Sequence, residues 1–426
     1  MSGITADNPY RASGVIAAAA AGGLSWQDVV TASTLTAVAG NAYWINTTSN
    51  TCTITLPAAA SNGDTIIFSD FDRTWGTNKI ILDSNGLNYQ GDDDSFDVEY
   101  STDGQTVKIV YSDATNGWIP IIDEAVEDAP SKGNEEGIFG YGESVPTGNV
   151  SLTNKVSNTG VVAADVTGVG TARGQYPGAC EYGGDKGIFG YGATPSVTAV
   201  TNLVTNAGVV GTDVTGVGTA RSNLAACSYG GDKGIFGFGY AAPTYHATTN
   251  LVTNAGVVGT DVSGVGTGRG WLAATEYGGD KGVFFAGNAS GSANTSIKNL
   301  VSNTGVVATD AATSGVTGRS NMGACGYGFD KGIFSFGQGA TGVPDSTTNL
   351  VSNTGVFAAD VTQVGSDRST LTATQYGLDK GIMGFGQAGT PSQVNICNLV
   401  SNVGVVATDT SGIGTARKYL AACSFN

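Results

Sequence analysis

Charged residues, histidine and long apolar runs are all scarce in this chain. Only 13% of its 426 residues are Asp, Glu, Lys or Arg, and the formal net charge is −16. Such an acidic balance argues against binding to nucleic acid or to anionic membranes, because those partners attract basic surfaces. No apolar run approaches the roughly 18 residues that a transmembrane helix needs. The Ala- and Gly-rich residues 15–24 also lack the features of a secretory signal, so we expect no membrane insertion.

The patterns typical of metal sites and disulfides are missing as well. The single histidine, His246, has no second histidine with which to bind zinc or copper, so it is interpreted as an incidental loop residue. The six cysteines show no C-x-x-C spacing. Four of them share one repeated position, which is threonine in two other copies: Cys180, Cys227, Cys325 and Cys423. Small buried residues fit this pattern better than a disulfide framework, and no cofactor is predicted.

What the chain does contain is glycine and apolar residues. It has 66 Gly, and 40% of its residues are hydrophobic, which is too apolar for a disordered chain. The charge is uneven, since residues 1–136 contain 19 acidic and 5 basic residues whereas residues 137–426 contain 16 and 14. We therefore expect a folded all-β protein with glycines at its turns and with two different parts.

The second part is a repeat array. One copy contains the strings NAGVVGTDVTGVGTAR from residue 206 and SNLAACSYGGDKGIFGFG from residue 222. An arginine marks each of six copies at intervals of 48 to 50 residues: Arg173, Arg221, Arg269, Arg319, Arg368 and Arg417. This period falls among those of four-stranded propeller blades and far exceeds the periods of leucine-rich or hexapeptide solenoids.

Within one copy the pattern predicts four strands, at residues 224–229, 234–238, 250–254 and 257–260, with a tight turn at residues 230–232. The array opens at Gly137 with a second-strand pattern and closes at residues 417–425 with a first-strand pattern. The last strand can therefore complete the first blade, which is how a closed propeller removes its sheet edges. We predict a six-bladed β-propeller over residues 137–426, closed by the C-terminal strand.

The copies also resemble kelch repeats. In the copy that begins at Arg221, a strand after the arginine leads to the Gly230-Gly231 turn and then to the hydrophobic second strand IFGFG. The resemblance covers all six copies. It implies a kelch-like propeller fold and no particular function.

Residues 32–121 alternate strand-like runs with turns, and a small β-domain is predicted there. Its strands are expected at residues 42–45, 52–56, 65–68, 79–82, 107–111 and 118–121. The strings LPAAASNGDTIIFSDFDRTWGTNKIILDSNG from residue 56 and VKIVYSDATNGWIPI from residue 107 resemble a module that recurs in tailed-phage fibres and other virion appendages. Repeats of the TNLVSNTGVVATD type are also similar to those of phage tail appendages. These resemblances imply a phage virion protein, such as a tail fibre or spike.

The same resemblance implies an order of parts. Residues 1–31 are interpreted as an arm that attaches to other virion proteins, and the acidic residues 122–136 as a linker to the propeller. The receptor ends of fibres are usually distal, so the propeller is expected to contact the host. Because fibre modules are often trimeric, a homotrimer is expected for the N-terminal third. The protein would be assembled in the host cytoplasm and reside on the phage particle.

Two sets of charged residues have structural interpretations. Each repeat arginine follows an Asp by eight or nine residues, so an Asp–Arg or Arg–backbone contact is favoured over anion binding. The densest carboxylate cluster, Asp92, Asp93, Asp94 and Asp97, is either a solvated acidic turn or a calcium site, because oxygen ligands suit Ca²⁺. No nucleophile has a candidate base, so no catalytic residue and no enzyme are predicted.

Sequence variation among the copies points to a recognition surface. If the first strand of each copy is innermost, six variable segments lie on one face: residues 143–153, 193–201, 240–249, 288–298, 338–348 and 387–397. The candidate receptor-binding residues on this face are Tyr176, Tyr240, Tyr245, His246, Trp271 and Tyr419. Aromatic side chains among small polar residues suit stacking on sugar rings. The alternative is that these side chains plug the central channel.

Two functions follow from these observations. The first is a structural component of a phage virion whose propeller binds a host-surface receptor, for which a glycan is expected. The second is a glycan-acting propeller enzyme or a secreted lectin. Turnover of labelled host polysaccharide distinguishes the enzyme from a binding protein. The first function is favoured because both the N-terminal module and the repeats resemble phage appendages.

Overall fold

The computed structural model describes residues 23–92, 98–122, 134–290, 294–362, 364–389 and 392–426. The regular elements in this described part are β-strands, as predicted. It includes no helix that is long and apolar enough to span a membrane. The chain divides into two compact units, Met1–Asp128 and Ala129–Asn426, which are described separately.

The first unit consists of two sheets between which the chain alternates. Its strands are β1 (Ser25–Trp26), β2 (Thr34–Thr36), β3 (Asn41–Ile45), β4 (Cys52–Thr55), β5 (Thr65–Asp70), β6 (Ile80–Asp83), β7 (Val98–Tyr100), β8 (Thr106–Tyr111) and β9 (Trp118–Ile122). One sheet has the order β1-β3-β5-β8-β9 and the other has the order β2-β4-β6-β7. The pairs among β1 to β6 are parallel, so the chain winds from one sheet to the other and back. The pairs that involve β7, β8 and β9 are antiparallel.

The six strands predicted for this unit are present within one or two residues of their expected bounds. The sheet begins at Ser25, however, inside the segment interpreted as the N-terminal arm. Strands β1, β2 and β7 have no counterpart among the predicted strands, because two or three residues are too few to show a period. One core cluster, which includes Phe68, Trp75 and Trp118, contains residues of both sheets.

The second unit consists of six similar sheets. Its first strands are β14 (Gly178–Tyr182), β17 (Ala225–Tyr229), β23 (Ala273–Tyr277), β28 (Gly323–Tyr327), β32 (Thr372–Tyr376) and β35 (Ala421–Phe425). Its second strands are β10 (Glu136–Gly140), β15 (Lys186–Gly190), β18 (Lys233–Gly237), β24 (Lys281–Phe285), β29 (Lys331–Ser335) and β33 (Lys380–Gly384). Its third strands are β13 (Thr153–Val156), β16 (Thr201–Val204), β21 (Thr249–Val252), β26 (Ile297–Val301), β30 (Thr347–Val351) and β34 (Cys397–Val400).

Eight two-residue strands complete the unit. They are β11 (Glu143–Ser144), β12 (Gly148–Asn149), β19 (Tyr240–Ala241), β20 (Thr244–Tyr245), β22 (Arg269–Gly270), β25 (Asn288–Ala289), β27 (Ala311–Ala312) and β31 (Val361–Thr362). Six of them form two-stranded sheets in the connections between the longer strands. The other two, β27 and β31, extend a three-stranded sheet by a short fourth strand.

The prediction of a full fourth strand in each copy is wrong. In the copy that begins at Arg221, the segment after the third strand forms bridges to that strand only at Val258 and Val262. Between these bridges the Asn250 side chain donates to the Gly259 carbonyl at 3.1 Å and to Asp261 at 2.9 Å. Asparagine side chains compete in this way with the backbone ladder. The outer edge of the sheet is therefore held by a side chain rather than by a regular strand.

The first strands are innermost and follow one another in a closed order. Each packs against the first strand of the next sheet, and β35 packs against β14. Strand β35 also pairs antiparallel with β10, where Phe425 lies opposite Glu136 and Ala421 lies opposite Gly140. The C-terminal strand thus completes the sheet that the start of the array leaves incomplete, as predicted.

The tight turns between first and second strands lie at one end of the sheets, which we call the turn face. In four cases the N–H of the first turn glycine donates to the Asp carbonyl of the next turn at 2.7 Å. Where the start and the end of the array meet, Gly377 N donates to Glu135 O at 2.8 Å and Asn426 N donates to Asp185 O at 2.9 Å. The two ends of the array therefore take the place of the missing turn.

Adjacent sheets pack closely at a glycine of the second strand. A Cβ atom on Gly234 would lie 2.4 Å from Cys180 Sγ of the preceding sheet, and one on Gly282 would lie 2.5 Å from Cys227 Sγ. The glycine at this position of each second strand therefore makes room for the cysteine or threonine of the neighbouring copy. All six cysteines are free and buried, as predicted.

Candidate functional site

The variable segments and the residues after each arginine share one end of the sheets, which we call the loop face. Strands β17 and β18 are antiparallel, and Ala225 lies opposite Gly237. Residues that precede the first strand therefore emerge beside those that follow the second strand. The variable segments lie on the face opposite to the tight turns, as predicted for innermost first strands. Residues 291–293, 390 and 391 of these segments lie outside the described part of the chain.

Each repeat arginine is fully buried and joins two neighbouring sheets. Arg221 Nε donates to the Phe238 carbonyl at 2.6 Å, and Nη2 donates to Asn250 Oδ1 at 2.8 Å. The guanidinium lies 4.5 Å from the ring centroid of Tyr191, which belongs to the preceding sheet. Four other arginines stack on the equivalent aromatic ring, whereas Ala286 occupies that position in the remaining copy. These contacts fit a structural role, because the buried guanidinium groups are not accessible to an anion from the solvent.

The Asp near each arginine lies beside the third strand of the same sheet and is not the Asp eight or nine residues before the arginine. Arg269 Nη1 lies 3.7 Å from Asp310 Oδ1, and Arg417 Nη1 lies 3.9 Å from Asp165 Oδ1 across the closure. Partial burial alone would raise the pKa of Asp310. Hydrogen bonds from Thr267 and Asn299, together with the charge of Arg269, instead hold the pKa of Asp310 below its ordinary value. The Asp–Arg contact therefore joins the start of the first strand to the outer edge of the same sheet, where Asn299 contacts both side chains.

Residues just after the arginines form a closed ring of backbone hydrogen bonds on the loop face. Six of them have φ between 53° and 61°: Tyr176, Asn223, Trp271, Asn321, Thr370 and Tyr419. Trp271 N donates to Asn223 O at 2.9 Å, and equivalent bonds follow from copy to copy until Tyr176 N donates to Tyr419 O at 3.3 Å. Asn223 N closes the ring by donating to Gln175 O at 2.9 Å. Left-handed backbone is uncommon for large side chains, and the ring holds it in place. The orientation of these side chains is thus determined by closure of the array.

Tyr176 crosses the centre of this ring and is not a surface residue. It is 8% exposed, and its hydroxyl donates to Asn321 Oδ1 at 2.8 Å. Its ring packs edge-on against Tyr419 with centroids 5.0 Å apart. Burial, and secondarily Tyr419, raise the pKa of Tyr176 well above its usual value. The expectation that Tyr176 is exposed is wrong, whereas its receptor-binding role stays a prediction.

Three of the other candidate residues form an aromatic cluster on the loop face. The ring centroids of Tyr240 and Tyr245 are 4.8 Å apart, and that of Trp271 lies 5.6 Å from Tyr240 and 6.2 Å from Tyr245. All three side chains are half-buried. Strands β19 and β20 pair Tyr240 with Tyr245, and the backbone ring holds Trp271. Residues far apart in sequence are thus brought together on a rigid base.

His246 and Tyr419 are not part of the aromatic cluster. His246 N donates to Gly239 O at 2.8 Å, and the imidazole is half-buried. Burial, followed by the charge of Arg221, lowers the pKa of His246 below its ordinary value. Tyr419 is half-buried, and Lys418 Nζ lies 4.8 Å from its ring centroid.

The acidic cluster lies largely outside the described residues. Asp93, Asp94 and Asp97 belong to the segment that is not described, and Asp92 exchanges backbone hydrogen bonds with Tyr89. The choice between a solvated turn and a calcium site therefore stays open. Within the described residues, no group of three or more His, Cys, Asp or Glu side chains could hold a metal ion.

Two carboxylates inside the second unit have no counterpart among the predicted site residues. Glu181 and Glu276 occupy the same position of their first strands and line a cavity that opens toward the turn face. The equivalent residues in the other copies are Ser228, Gly326, Gln375 and Ser424. The signal that could have found them is this variation at one inner position of an otherwise regular repeat.

No protein-family model and no curated protein matches this chain. The candidate sites are therefore interpreted from their own geometry.

Proposed function

We propose that the six sheets of the second unit are the blades of a six-bladed, kelch-like β-propeller. The closed order of the first strands supports this, because each sheet has a neighbour on both sides. Pairing of β35 with β10 supports closure by the C-terminal strand. Closure without free sheet edges is the physical advantage of such a ring.

We further propose that the protein is a structural component of a phage virion, in a tail fibre, spike or other appendage, and that its loop face binds a host-surface glycan. The observation that carries the receptor site is the cluster of Tyr240, Tyr245 and Trp271. Aromatic faces stack on the apolar faces of sugar rings at a low cost in conformational entropy. A repeated scaffold that presents variable loops is also a common way to build a binding surface.

The virion location rests on the resemblance of residues 56–86 and 107–121 to a phage appendage module. In this proposal the N-terminal arm attaches to other virion proteins, and the N-terminal third forms a homotrimer. Residues 1–22 of the arm lie outside the described part of the chain. Six free cysteines are compatible with assembly in a reducing host cytoplasm.

Adsorption of phage carrying a Tyr245→Ala and Trp271→Ala variant tests the receptor site. We expect weaker adsorption to host cells and a second unit that stays folded, because these loop-face side chains contribute little to packing between the sheets. Asp185→Asn, in a turn on the opposite face, is the matched control and should adsorb normally. Equal loss in both variants, or no loss in the aromatic variant, would place the receptor site elsewhere.

Two further measurements separate the alternatives. Antibody labelling of intact particles in negative stain should show the protein on an appendage, and absence from the particle would contradict the virion assignment. Incubation with labelled host polysaccharide should give binding without fragments. Release of fragments would instead identify a glycan-acting enzyme, and binding by a protein that is secreted free of particles would identify a lectin.

A further inference from the structure

A cavity between the first strands opens at the turn face and holds two acidic side chains. The cavity has a volume of about 70 Å³, and Glu181 and Glu276 both line it. Ser424 donates to Glu181 Oε1 through Oγ at 2.6 Å and through N at 3.1 Å, and Ser228 Oγ donates to the other carboxylate oxygen. Glu276 Oε1 accepts a hydrogen bond from Gln375 Nε2 at 2.6 Å.

These carboxylates lack a positive partner among the described residues. Neither forms an ion pair, and Lys233 at the mouth of the cavity is 2.5 Å from Asp232 instead. Burial, and then the negative charge of Glu181, raise the pKa of Glu276 to about 8. A bound cation would remove the repulsion that opposes ionisation of Glu276.

A buried acceptor in the same cavity is also unused. Asn134 lines the cavity and is 5% exposed. Its Nδ2 donates to Ser424 Oγ at 3.1 Å, while its Oδ1 accepts no hydrogen bond from the described residues. Buried polar atoms are rarely left without a partner. Asn134 Oδ1 therefore supplies an acceptor for a ligand that carries hydrogen-bond donors.

The rim of the cavity departs from the repeat in a way that costs stability. Three turns have a second glycine, whereas Phe329 and Leu378 occupy this position in two others. Their φ values are 67° and 71°, in the left-handed region that glycine adopts freely and that costs an L-residue about 1–2 kcal/mol. Phe329 is 50% exposed and Leu378 is 37% exposed, so burial does not compensate. Both line the cavity with the carboxylates, which points to an apolar contact with a ligand.

The opposite end of the channel has no carboxylate among the described residues that line it. It is lined by apolar side chains that include Leu224, Leu272 and Met322, and Tyr176 crosses it to reach Asn321. Carboxylates and an exposed apolar rim therefore occur together only at the turn-face end of the described channel. A ligand that uses both must combine a positive charge with an apolar stem.

We propose that the turn-face cavity binds an alkylammonium group, such as a lysine side chain presented by a partner protein, with its ammonium at Glu181 and Glu276 and its stem against Phe329 and Leu378. A bare metal ion would use the carboxylates but would leave the apolar rim without a role. The three donors of an ammonium match the two carboxylates and Asn134 Oδ1. This site lies on the face opposite the aromatic cluster and does not depend on glycan binding there.

Binding of n-butylammonium to the full chain tests the proposal. The probe reproduces the stem and charge of lysine, and saturation-transfer NMR of its methyl protons reports contact with the apolar rim. We expect binding at millimolar concentration against sodium chloride of equal ionic strength. Glu276→Gln should weaken binding at least tenfold, because it removes one charge while keeping the shape. Phe329→Gly should weaken it several-fold although it relieves backbone strain.

Glu143→Gln is the matched control, because Glu143 lies in strand β11 on the loop face and pairs with Lys418 at 3.5 Å. Binding should be unchanged in this variant, and the unfolding transition of each variant verifies that it is folded. Absence of n-butylammonium binding, or equal binding by the wild type and Glu276→Gln, would overturn the proposal. Binding of Ca²⁺ that depends on Glu276, without binding of n-butylammonium, would replace it with a metal site.

Discussion

The two units of this chain bury similar side chains in different arrangements. In the first unit, Phe68, Trp75 and Trp118 belong to one cluster that contains residues of both sheets. In the second unit, apolar residues are divided among six clusters, each of which contains residues of two adjacent sheets. Each sheet contributes to two clusters, so none lies at an end. The first unit thus depends on one core, whereas the second depends on six similar interfaces and on closure.

Removing the closing strand should produce the largest difference in stability between the two units. Deletion of residues 419–426 removes β35, its pairing with β10 and its packing against two neighbouring first strands. We expect the second unit to lose its cooperative unfolding transition or to aggregate, while the first unit keeps its own transition. Differential scanning calorimetry of the full chain measures both. An octapeptide deletion that stays monodisperse with unchanged melting would refute closure.

The next test asks whether the six interfaces are energetically equivalent. Arg221→Ala should lower the free energy of unfolding by about 3–5 kcal/mol, because it leaves Asn250 and the Phe238 carbonyl without a buried donor. Arg319→Ala should cost about 1–2 kcal/mol less, because Arg319 lacks both the ring on which the other arginines stack and the Nε hydrogen bond that Arg221 makes. Urea unfolding of the second unit measures both variants. Equal losses would show that neither the ring stacking nor this hydrogen bond contributes.

The pH response should also distinguish the units. The pKa of Glu276 is raised from an ordinary 4.5 to about 8, so the folded state binds more protons than the unfolded state between these values. Its stabilisation is complete below about pH 4.5 and is lost as the pH rises toward 8, with a slope of up to about 1.4 kcal/mol per pH unit. Thermal unfolding from pH 5 to 8 should show this slope in the second unit. Glu276→Gln should flatten it, with the transition of the first unit as the internal reference, and a slope that persists in the variant would assign it to another group.

The smallest effects should come from single glycines of the repeat. Gly234→Ala should destabilise the second unit by about 1–3 kcal/mol, because the new Cβ meets Cys180 Sγ. Gly231→Ala enters open space but has φ of 75°, so it should cost about 1 kcal/mol through strain alone. Combining each with Cys180→Ala gives a double-mutant cycle in chemical unfolding. Only Gly234 should couple to Cys180, and equal coupling at both positions would contradict close packing between the sheets.

In the second unit, the sequence predicts the regular strands but not the side-chain contacts that join them. The regular strands of the repeat are predictable because each is a short apolar run beside a glycine turn, as at residues 225–229. The fourth strand is not, because Asn250 fulfils by its side chain what a regular ladder would do. The Asp partner of each arginine is missed for a different reason. In a repeat, the Asp shortly before each arginine and the Asp of the segment after the third strand recur with the same period, so the spacing does not show which of them is the partner.

The candidate site shows which side chains a pattern can place. Tyr240 and Tyr245 are predicted together on one face because they flank a short connection, and they do pair. Tyr176 occupies a position that is Trp271 or Asn321 in other copies, and sequence alone assigns all three to the loop face. Only the closed ring shows that Tyr176 bonds to Asn321 across the centre. The closed arrangement of the six sheets therefore decides that Tyr176 is buried at the centre whereas Trp271 stays partly accessible.

The sequence by itself determines the all-β character, the period of the array and the ability of its last strand to complete its first sheet, because these depend on local apolar patterns and on the spacing of glycines. The tertiary structure decides what lies inside. Glu181 and Glu276 are separated by two strand-turn-strand repeats along the chain, yet they line one cavity because their first strands are both innermost. Their burial and mutual repulsion exist only when the six sheets are assembled, since neither property belongs to a single repeat.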